Sequence, residues 1–464
     1  MTETITTKVL IVGGGPGGYV AAIRCGQLGL DTVLVEGDRL GGTCLIRGCI
    51  PSKALIHVAD KFAGMSHAVG KGAHGISLSV APKLNLAETV KWKETVVDKL
   101  NGGVTALLKR AKVRVVEGWG VFSDAKTCTV KTKVGDVVIK AENVILATGS
   151  EAVGLPHIPF GGPVISSTEA LSLPDVPKKL AVIGAGYIGL ELGIAFRKFG
   201  SEVTVVEAQD RILPLYDRDL TKPVSQSMEK AGLILHLGAK AQGFKNGKLT
   251  VEGKDGKIFD IAADTVLVTV GRKPRTAGWG LETMAVDMAG KFVKVDDMCS
   301  TSMKGVYAIG DLVGEPMLEH KAAAQGETVA EIIAGHKRRF NPAAIPAVCF
   351  TDPEIVTAGL SAEEAAEKGI DVMTSVFPLT ANGRALSMDA GEGFVRVVAR
   401  KDDKRIIGIQ AVGSHISELS GEFSMAIEMA ATLEDIAGII HAHPTLSEAF
   451  FEASLRGLGH AIHI

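Results

Sequence analysis

The sequence predicts an α/β fold in which one strand–turn–helix–strand unit occurs twice and a third segment of mixed α+β character follows. Three observations carry this. First, Gly13-Gly14-Gly15-Pro16-Gly17-Gly18 sits between an apolar strand at residues 8–12 and an Ala-rich helix ending near Gly29, and a second strand then runs to Glu36. Second, the arrangement returns at Gly184-Ala185-Gly186-Tyr187-Ile188-Gly189, where Gly13, Gly15, Gly18, Gly29 and Glu36 map onto Gly184, Gly186, Gly189, Gly200 and Glu207 by a single offset of 171 residues. A gapless match of five landmarks is hard to dismiss as a coincidence of glycine-rich turns. Third, from about residue 343 onwards the pattern changes to short strands at residues 395–399 and 406–412, with a helix from Leu446. A length of 464 residues suits roughly three domains.

Each unit has the order of a dinucleotide fold. Gly13 permits the tight turn, Gly15 lets the backbone approach a pyrophosphate at the helix N-terminus, and Gly18 allows helix and strand to pack. Glu36 accepts from a ribose. Gly184, Gly186, Gly189 and Glu207 repeat these roles. Two such sites imply two dinucleotides and electrons passing between them. A carboxylate at Glu207 accepts from a free 2′-hydroxyl and repels a 2′-phosphate, which favours NAD over NADP, although Arg211 lies close in sequence. Between the units, residues 92–110 read as an amphipathic helix and residues 113–140 as short strands covering the first site. Residues 144–149 read as a buried strand meeting glycine, residues 266–271 echo it after the second unit, and both are taken as crossings between domains.

The stretch Gly41-Gly42-Thr43-Cys44-Leu45-Ile46-Arg47-Gly48-Cys49-Ile50-Pro51-Ser52-Lys53 is the chemical centre of the sequence. Two cysteines boxed by glycines and closed by a Pro-Ser-Lys helix start read as a dithiol that opens and closes. A bridge needs Cα atoms within about 4.4–6.8 Å, and five helical positions rise by about 7.5 Å. A distorted turn at Gly48 closes the gap. An unperturbed thiol near pKa 8.5 is mostly protonated at neutral pH, so exchange needs a nearby charge or proton acceptor. A packed pair of thiols and half of a zinc site are the alternatives; the other four cysteines are scattered singly, without ligand spacing. A second constellation lies at His441-Ala442-His443-Pro444-Thr445-Leu446-Ser447-Glu448. A histidine oriented by a carboxylate suits proton transfer near neutral pH.

Composition excludes other classes. Six cysteines are too few for a secreted disulfide scaffold, and a net charge of −2 leaves no broad basic field for nucleic acid or an anionic membrane. With 3 tryptophans and 4 tyrosines, a base-stacking surface is not expected either. There is no run of 18 apolar residues and no basic, apolar leader in residues 1–8, so the expectation is a cytoplasmic protein with no membrane partner.

With these motifs in place, the chain resembles the disulfide-dependent pyridine nucleotide flavoprotein oxidoreductases over its whole length, and most closely their lipoyl-oxidising branch. The resemblance implies a fold of two Rossmann-like dinucleotide-binding domains plus an α+β interface domain. The boundaries expected are 1–149 for FAD, 150–271 for NAD, 272–342 as a central segment completing the FAD site, and 343–464 for dimerisation. It implies FAD on Gly13, Gly15, Gly18, Glu36, Gly42, Thr43, Lys53, Thr148, Gly149, Asp311 and Leu318. Asp311 lies on the ribityl chain, and the helix after Leu318 points its N-terminus at the isoalloxazine. NAD falls to Gly184, Gly186, Tyr187, Ile188, Gly189, Glu191, Glu207 and Gly271, with Tyr187 covering the nicotinamide side of the flavin and Glu191 pairing with Lys53. Cys49 faces the flavin, Cys44 exchanges with substrate, and His443 with Glu448 reaches the disulfide of the other subunit of a homodimer. No metal is implied.

The resemblance further implies oxidation of dihydrolipoyl groups on the lipoyl domain of an acyltransferase component, or on a glycine-cleavage H protein, with reduction of NAD. Reductases of the glutathione or trypanothione type are the nearest rivals; they generally prefer NADPH, and Glu207 argues against them. A mercuric reductase is expected to end in a further cysteine pair, which this sequence lacks. A mainly structural subunit with a vestigial site is disfavoured by Cys44, Cys49, His443 and Glu448 together. One departure is Ile46-Arg47 between the cysteines: Arg47 either lowers a thiol pKa or points outward.

Overall fold

A computed structural model describes residues 3–70, 72 and 74–464. The chain divides into two compact units, one of residues 1–155, 165–176 and 270–341, the other of residues 156–164, 177–269 and 342–464.

In the first unit, six strands lie in the order Arg114–Glu117, Thr32–Glu36, Glu3–Val12, Gly135–Leu146, Thr127–Thr132, Trp119–Asp124, and Val306–Ala308 also pairs with Gly135–Leu146. The strands from Arg114–Glu117 to Gly135–Leu146 run parallel, and the remaining two form an antiparallel meander. Parallel strands are buried on both faces, and alternate side chains divide between two cores. Leu10, Val12, Val33, Val35, Val144 and Leu146 pack on one side, Val9, Ile11, Leu34 and Ile145 on the other. Helices Pro16–Gln27 and Glu319–Ile333 pack together on that second side.

The buried strand expected before Gly149 is the end of the central strand Gly135–Leu146. Its continuous apolar run is the mark of burial on both faces. The strand Glu3–Val12 also begins earlier than expected, because residues 3–7 pair with residues 137–141. Helix Leu86–Arg110 likewise starts six residues early, where the Asn85 side chain accepts from the Glu88 N–H.

The second unit contains parallel strands in the order Ile234–Leu237, Glu202–Glu207, Lys179–Ile183, Thr265–Val268. Here too the strand expected at residues 266–271 is found in the sheet, as Thr265–Val268. Its segment 342–464 carries an antiparallel sheet, Ala347–Cys349, Glu354–Gly359, Ile406–Gly413, Phe394–Arg400, Val372–Pro378, whose core meets Phe423 and Ile427 of helix Ser420–Glu428 and Phe450 and Ala453 of helix Glu448–Gly457. After strand Val372–Pro378 the chain forms the short helix Gly383–Ser387, capped by Asn382, whose side chain accepts from the Ala385 N–H. The terminal helix starts at Glu448 rather than Leu446.

Candidate active site

The duplication extends to individual hydrogen bonds. In the first unit the Gly14 N–H donates to Glu36 Oε2 at 2.6 Å and the Asp38 N–H to Glu36 Oε1 at 2.8 Å. In the second the Ala185 N–H donates to Glu207 Oε2 at 2.7 Å and the Gln209 N–H to Glu207 Oε1 at 2.8 Å. Gly13 and Gly184 both take positive φ, +104° and +100°. A Cβ on Gly18 would lie 1.8 Å from the Gly13 carbonyl oxygen, and one on Gly189 2.3 Å from that of Gly184. These contacts hold helix and turn together so tightly that only glycine fits. Neither helix carries a side-chain N-cap bond, so the first-turn N–H groups, Ile188 among them, remain available to a phosphate.

Burial pushes the Glu36 carboxyl up, against the pull of the Gly14 and Gly37 N–H groups and the Arg47 and Arg275 cations. Arg211 donates to the carbonyls of Pro214 at 2.6 Å and Tyr216 at 3.0 Å. Its guanidinium is therefore committed to its own loop, which removes the sequence-level doubt it raised about a 2′-phosphate. Glu191 is buried and accepts from the Phe350 N–H at 2.9 Å, while Tyr187 opens its helix and is 38% exposed.

Cys44 and Cys49 are joined as a disulfide with Cα atoms 4.6 Å apart. Helix Gly42–Arg47 ends at Gly48 and helix Cys49–His67 begins directly after it. A Cβ on Gly48 would stand 2.8 Å from the Thr43 carbonyl oxygen and 3.2 Å from Cys44 Cα, so the break that brings the sulfurs together needs a bare backbone. Thr43 opens toward solvent and Lys53 sits one turn into the second helix, four residues after Cys49. A Cβ on Gly42 would come within 2.6 Å of Gly15 Cα. The disulfide helix is thereby laid directly on the first glycine turn. Arg47 pairs with Asp38, so its charge has a carboxylate partner. The other four cysteines, Cys25, Cys128, Cys299 and Cys349, are all buried, and burial pushes the first three thiols up to about 12.

Asp311 follows strand Val306–Ala308 in a short 3₁₀ turn. It accepts from Ser150 Oγ, which itself accepts from Arg272 Nε at 2.8 Å. The Gly310 N–H is held by Gln325 Oε1 at 2.8 Å, and Thr148 Oγ1 donates to the Arg275 carbonyl at 3.0 Å. Helix Glu319–Ile333 begins at Leu318 with no side-chain cap. Ser150, Arg272 and Gln325 escape sequence reading because they act across 15 to 161 residues. Gly271 stands beside them in the same unit.

In the second unit, His443 Nδ1 lies 2.9 Å from Glu448 Oε1, and the Thr445 N–H donates to Glu448 Oε2 at 2.8 Å. The His443 side chain is 76% exposed, free to offer Nε2 outward. Burial pushes Glu448 up, but the Thr445 N–H and His443 outweigh it and hold the carboxyl below its ordinary value. His441, quoted in the motif without a role, is packed against Phe451 and lies 3.3 Å from Glu422 Oε1, while Glu422 Oε2 accepts from Ser447 Oγ at 2.9 Å. One carboxylate thus ties both ends of the loop that carries His443.

Residues 7–326 match the family model described as pyridine nucleotide-disulphide oxidoreductase, and residues 345–454 match that family's dimerisation domain. The chain belongs to the pyridine nucleotide-disulphide oxidoreductases, and it uses FAD and NAD. Within them it is similar to dihydrolipoyl dehydrogenase of Pseudomonas aeruginosa, 57% identical with 100% of both chains covered. Dihydrolipoyl dehydrogenase of Geobacillus stearothermophilus is 43% identical over 99% of this chain and 98% of its own. The crystal structure of LpdA from Mycobacterium tuberculosis is 27% identical, with a TM-score of 0.88 over 97% of this chain and 99% of that one. The disulfide, the two glycine cradles and the open helix N-termini fit the cofactors of that class. Among the described residues no group of three or more His, Cys, Asp or Glu could hold a metal ion, and no helix is long and apolar enough to cross a membrane.

Proposed function

We propose that the chain oxidises protein-bound dihydrolipoyl groups to lipoyl and reduces NAD, with Cys44–Cys49 as the relay. The observation that carries this is the closed disulfide laid on the first dinucleotide turn, in a chain whose relatives are dihydrolipoyl dehydrogenases. A dihydrolipoyl thiolate attacks Cys44 Sγ, the Cys44–Cys49 bond breaks, and Cys49 leaves as the thiolate. The second lipoyl sulfur then attacks the first, releasing oxidised lipoyl and leaving Cys44 and Cys49 reduced. The bound cofactors supply the remaining chemistry, passing two electrons from the dithiol to NAD.

His443 takes the substrate proton at Nε2, and Glu448 fixes the ring through Nδ1 and stabilises the charge it acquires. The exposure of that imidazole supports its service to a second copy of the chain, in a homodimer formed by the dimerisation domain. Met425, Met429 and Ile440, exposed by 62%, 76% and 97%, give this domain an apolar face. Lys53, placed one turn beyond Cys49, would offer its ammonium to the flavin end of the site, and Asp311, held by Ser150, which Arg272 holds in turn, would take the ribityl hydroxyls. The lipoyl domain of an acyltransferase component, or an H protein, presents the substrate arm, and the buried thiols of Cys25, Cys128 and Cys299 suit a reducing cytoplasm.

The test is NADH formation by the purified flavin-loaded protein given NAD and dihydrolipoamide. Turnover that is lost in Cys44→Ser and absent with NADPH and oxidised glutathione is expected. Turnover with glutathione and none with dihydrolipoamide would refute the reading.

A further inference from the structure

Strand Phe394–Arg400 turns Val395 and Val397 into the core of the antiparallel sheet, so by alternation Arg396 leaves the opposite face. It is nonetheless only 9% exposed. Its Nε donates to Oε1 of Gln410 at 3.1 Å, directly across on strand Ile406–Gly413, and Gln410 is fixed in turn by donating to the Leu360 carbonyl at 3.0 Å. The guanidinium carbon lies 5.7 Å from the centre of the Phe394 ring. Burying a guanidinium is costly unless carboxylates answer it. Here Nη2 donates to Asp217 Oδ2 at 2.7 Å and Nη1 to Asp219 Oδ2 at 3.4 Å.

Asp217 is the far end of the loop that follows Glu207. Its Oδ1 caps helix Arg218–Lys230 by accepting from the Asp219 N–H at 2.8 Å, which leaves Oδ2 for Arg396. At the near end Glu207 accepts from the Ala185 and Gln209 N–H groups. Between the two ends the Leu213 N–H donates to the Ala185 carbonyl at 2.9 Å, so the loop is seated on the second glycine turn. Leu213 is buried and takes a φ of +46° there. A bulky side chain keeps that conformation only where its surroundings impose it. Arg211 stiffens the loop from within, and Asp217 on Arg396 fastens its outgoing end to the sheet.

Resting on the assignment of NAD to the second glycine turn, we propose that Arg396, a residue of the dimerisation domain, is a positioning residue for NAD. By clamping Asp217 it holds the loop of residues 208–216 against Ala185, and so keeps the turn and Glu207 in the geometry that receives the nucleotide. Release of the clamp lets Leu213 relax and withdraw its N–H from Ala185, whose own N–H holds Glu207. The exposed pair Lys230–Glu392, at 2.6 Å, joins the other end of the same helix to the same segment, and as a solvated pair it contributes little.

The test is steady-state turnover of the flavin-loaded protein with dihydrolipoamide and NAD. Arg396→Met is expected to raise KM for NAD about tenfold while kcat and KM for dihydrolipoamide stay within about twofold. Arg396→Lys should restore most of the loss. Asp217→Asn keeps the helix cap and removes the charge, so it should raise KM for NAD in the same direction but less, and it carries the test if Arg396→Met does not fold. The double variant should be no worse than Arg396→Met alone, and Lys230→Met should match wild type. KM for NAD within about twofold of wild type in both single variants, equal rises for NAD and dihydrolipoamide, or additive losses in the double variant would overturn the proposal. An unchanged KM for NAD in Glu207→Ala would instead overturn the placing of NAD on which it rests.

Discussion

Replacing Gly48 by alanine should make the Cys44–Cys49 bridge harder to keep closed. Five helical steps would carry the two Cα atoms about 7.5 Å apart, and they stand at 4.6 Å because the helix breaks at Gly48. The new methyl would lie 2.8 Å from the Thr43 carbonyl oxygen and 3.2 Å from Cys44 Cα. Both are backbone atoms, so neither can rotate away. Overpacking of this kind costs about 1–3 kcal/mol. The open dithiol can relax the turn and the closed disulfide cannot, so most of the cost falls on the oxidised form. For a two-electron couple about 1.4 kcal/mol corresponds to 30 mV, which raises the dithiol–disulfide potential by roughly 20–60 mV. Anaerobic equilibration against dihydrolipoamide and lipoamide at graded ratios, with thiols counted after an acid quench, reads this directly. A potential within about 10 mV of wild type would show that the close approach at Gly48 is not what holds the bridge closed.

Four further outcomes follow from the same geometry. His443→Gln should lower dihydrolipoamide turnover by about 10²–10⁴-fold, while NADH-driven reduction of ferricyanide, which needs no proton acceptor at the dithiol, stays near wild type; equal loss of both would remove His443 from the proton path. Because Glu448 is held below its ordinary value by the Thr445 N–H and His443, its contribution to stability is fully present above a pKa of about 4.3 and is lost as pH falls through the lower folded value. The wild-type melting temperature should therefore drop more steeply than that of Glu448→Gln below about pH 4.3, and parallel acid limbs would contradict this. Glu422→Gln should reduce dihydrolipoamide turnover and displace its pH profile without touching ferricyanide reduction, since it loosens the loop at His441 and Ser447 together; an unchanged profile would reduce Glu422 to packing. Alkylation at pH 8 should label no cysteine of the oxidised protein and only Cys44 and Cys49 after reduction, because Cys25, Cys128 and Cys299 are buried with thiols pushed up to about 12; rapid labelling of any of those three would contradict the burial argument.

Much of this was legible in the residue order, because the informative contacts are short-range or repeated. The offset linking Glu36 to Glu207 carries over to Gly14 and Ala185 and to Asp38 and Gln209, although only five landmarks stand out by residue type. The need for a break at Gly48 followed from helical rise alone. The early start of helix Leu86–Arg110 could have been read from Asn85 and Glu88, a cap and its partner three residues on.

Other features were not legible, for physical reasons. Asp311 depends on Ser150, and Ser150 on Arg272, contacts that form only after residues 270–341 return to the first unit. His441 gained a role only when Glu422, 19 residues away, closed on it. Arg47 remained undecided between two directions until Asp38 appeared beside it. Such pairings are set by tertiary packing, and local periodicity carries no trace of them.

The central claim is that Cys44 and Cys49 open and close during turnover. Counting protein thiols after one equivalent of NADH per flavin-loaded chain, under argon and with an acid quench, tests it most directly. Two new thiols per chain, located at Cys44 and Cys49 by mass spectrometry and reoxidised by lipoamide, are expected. A thiol count unchanged by NADH would contradict the account.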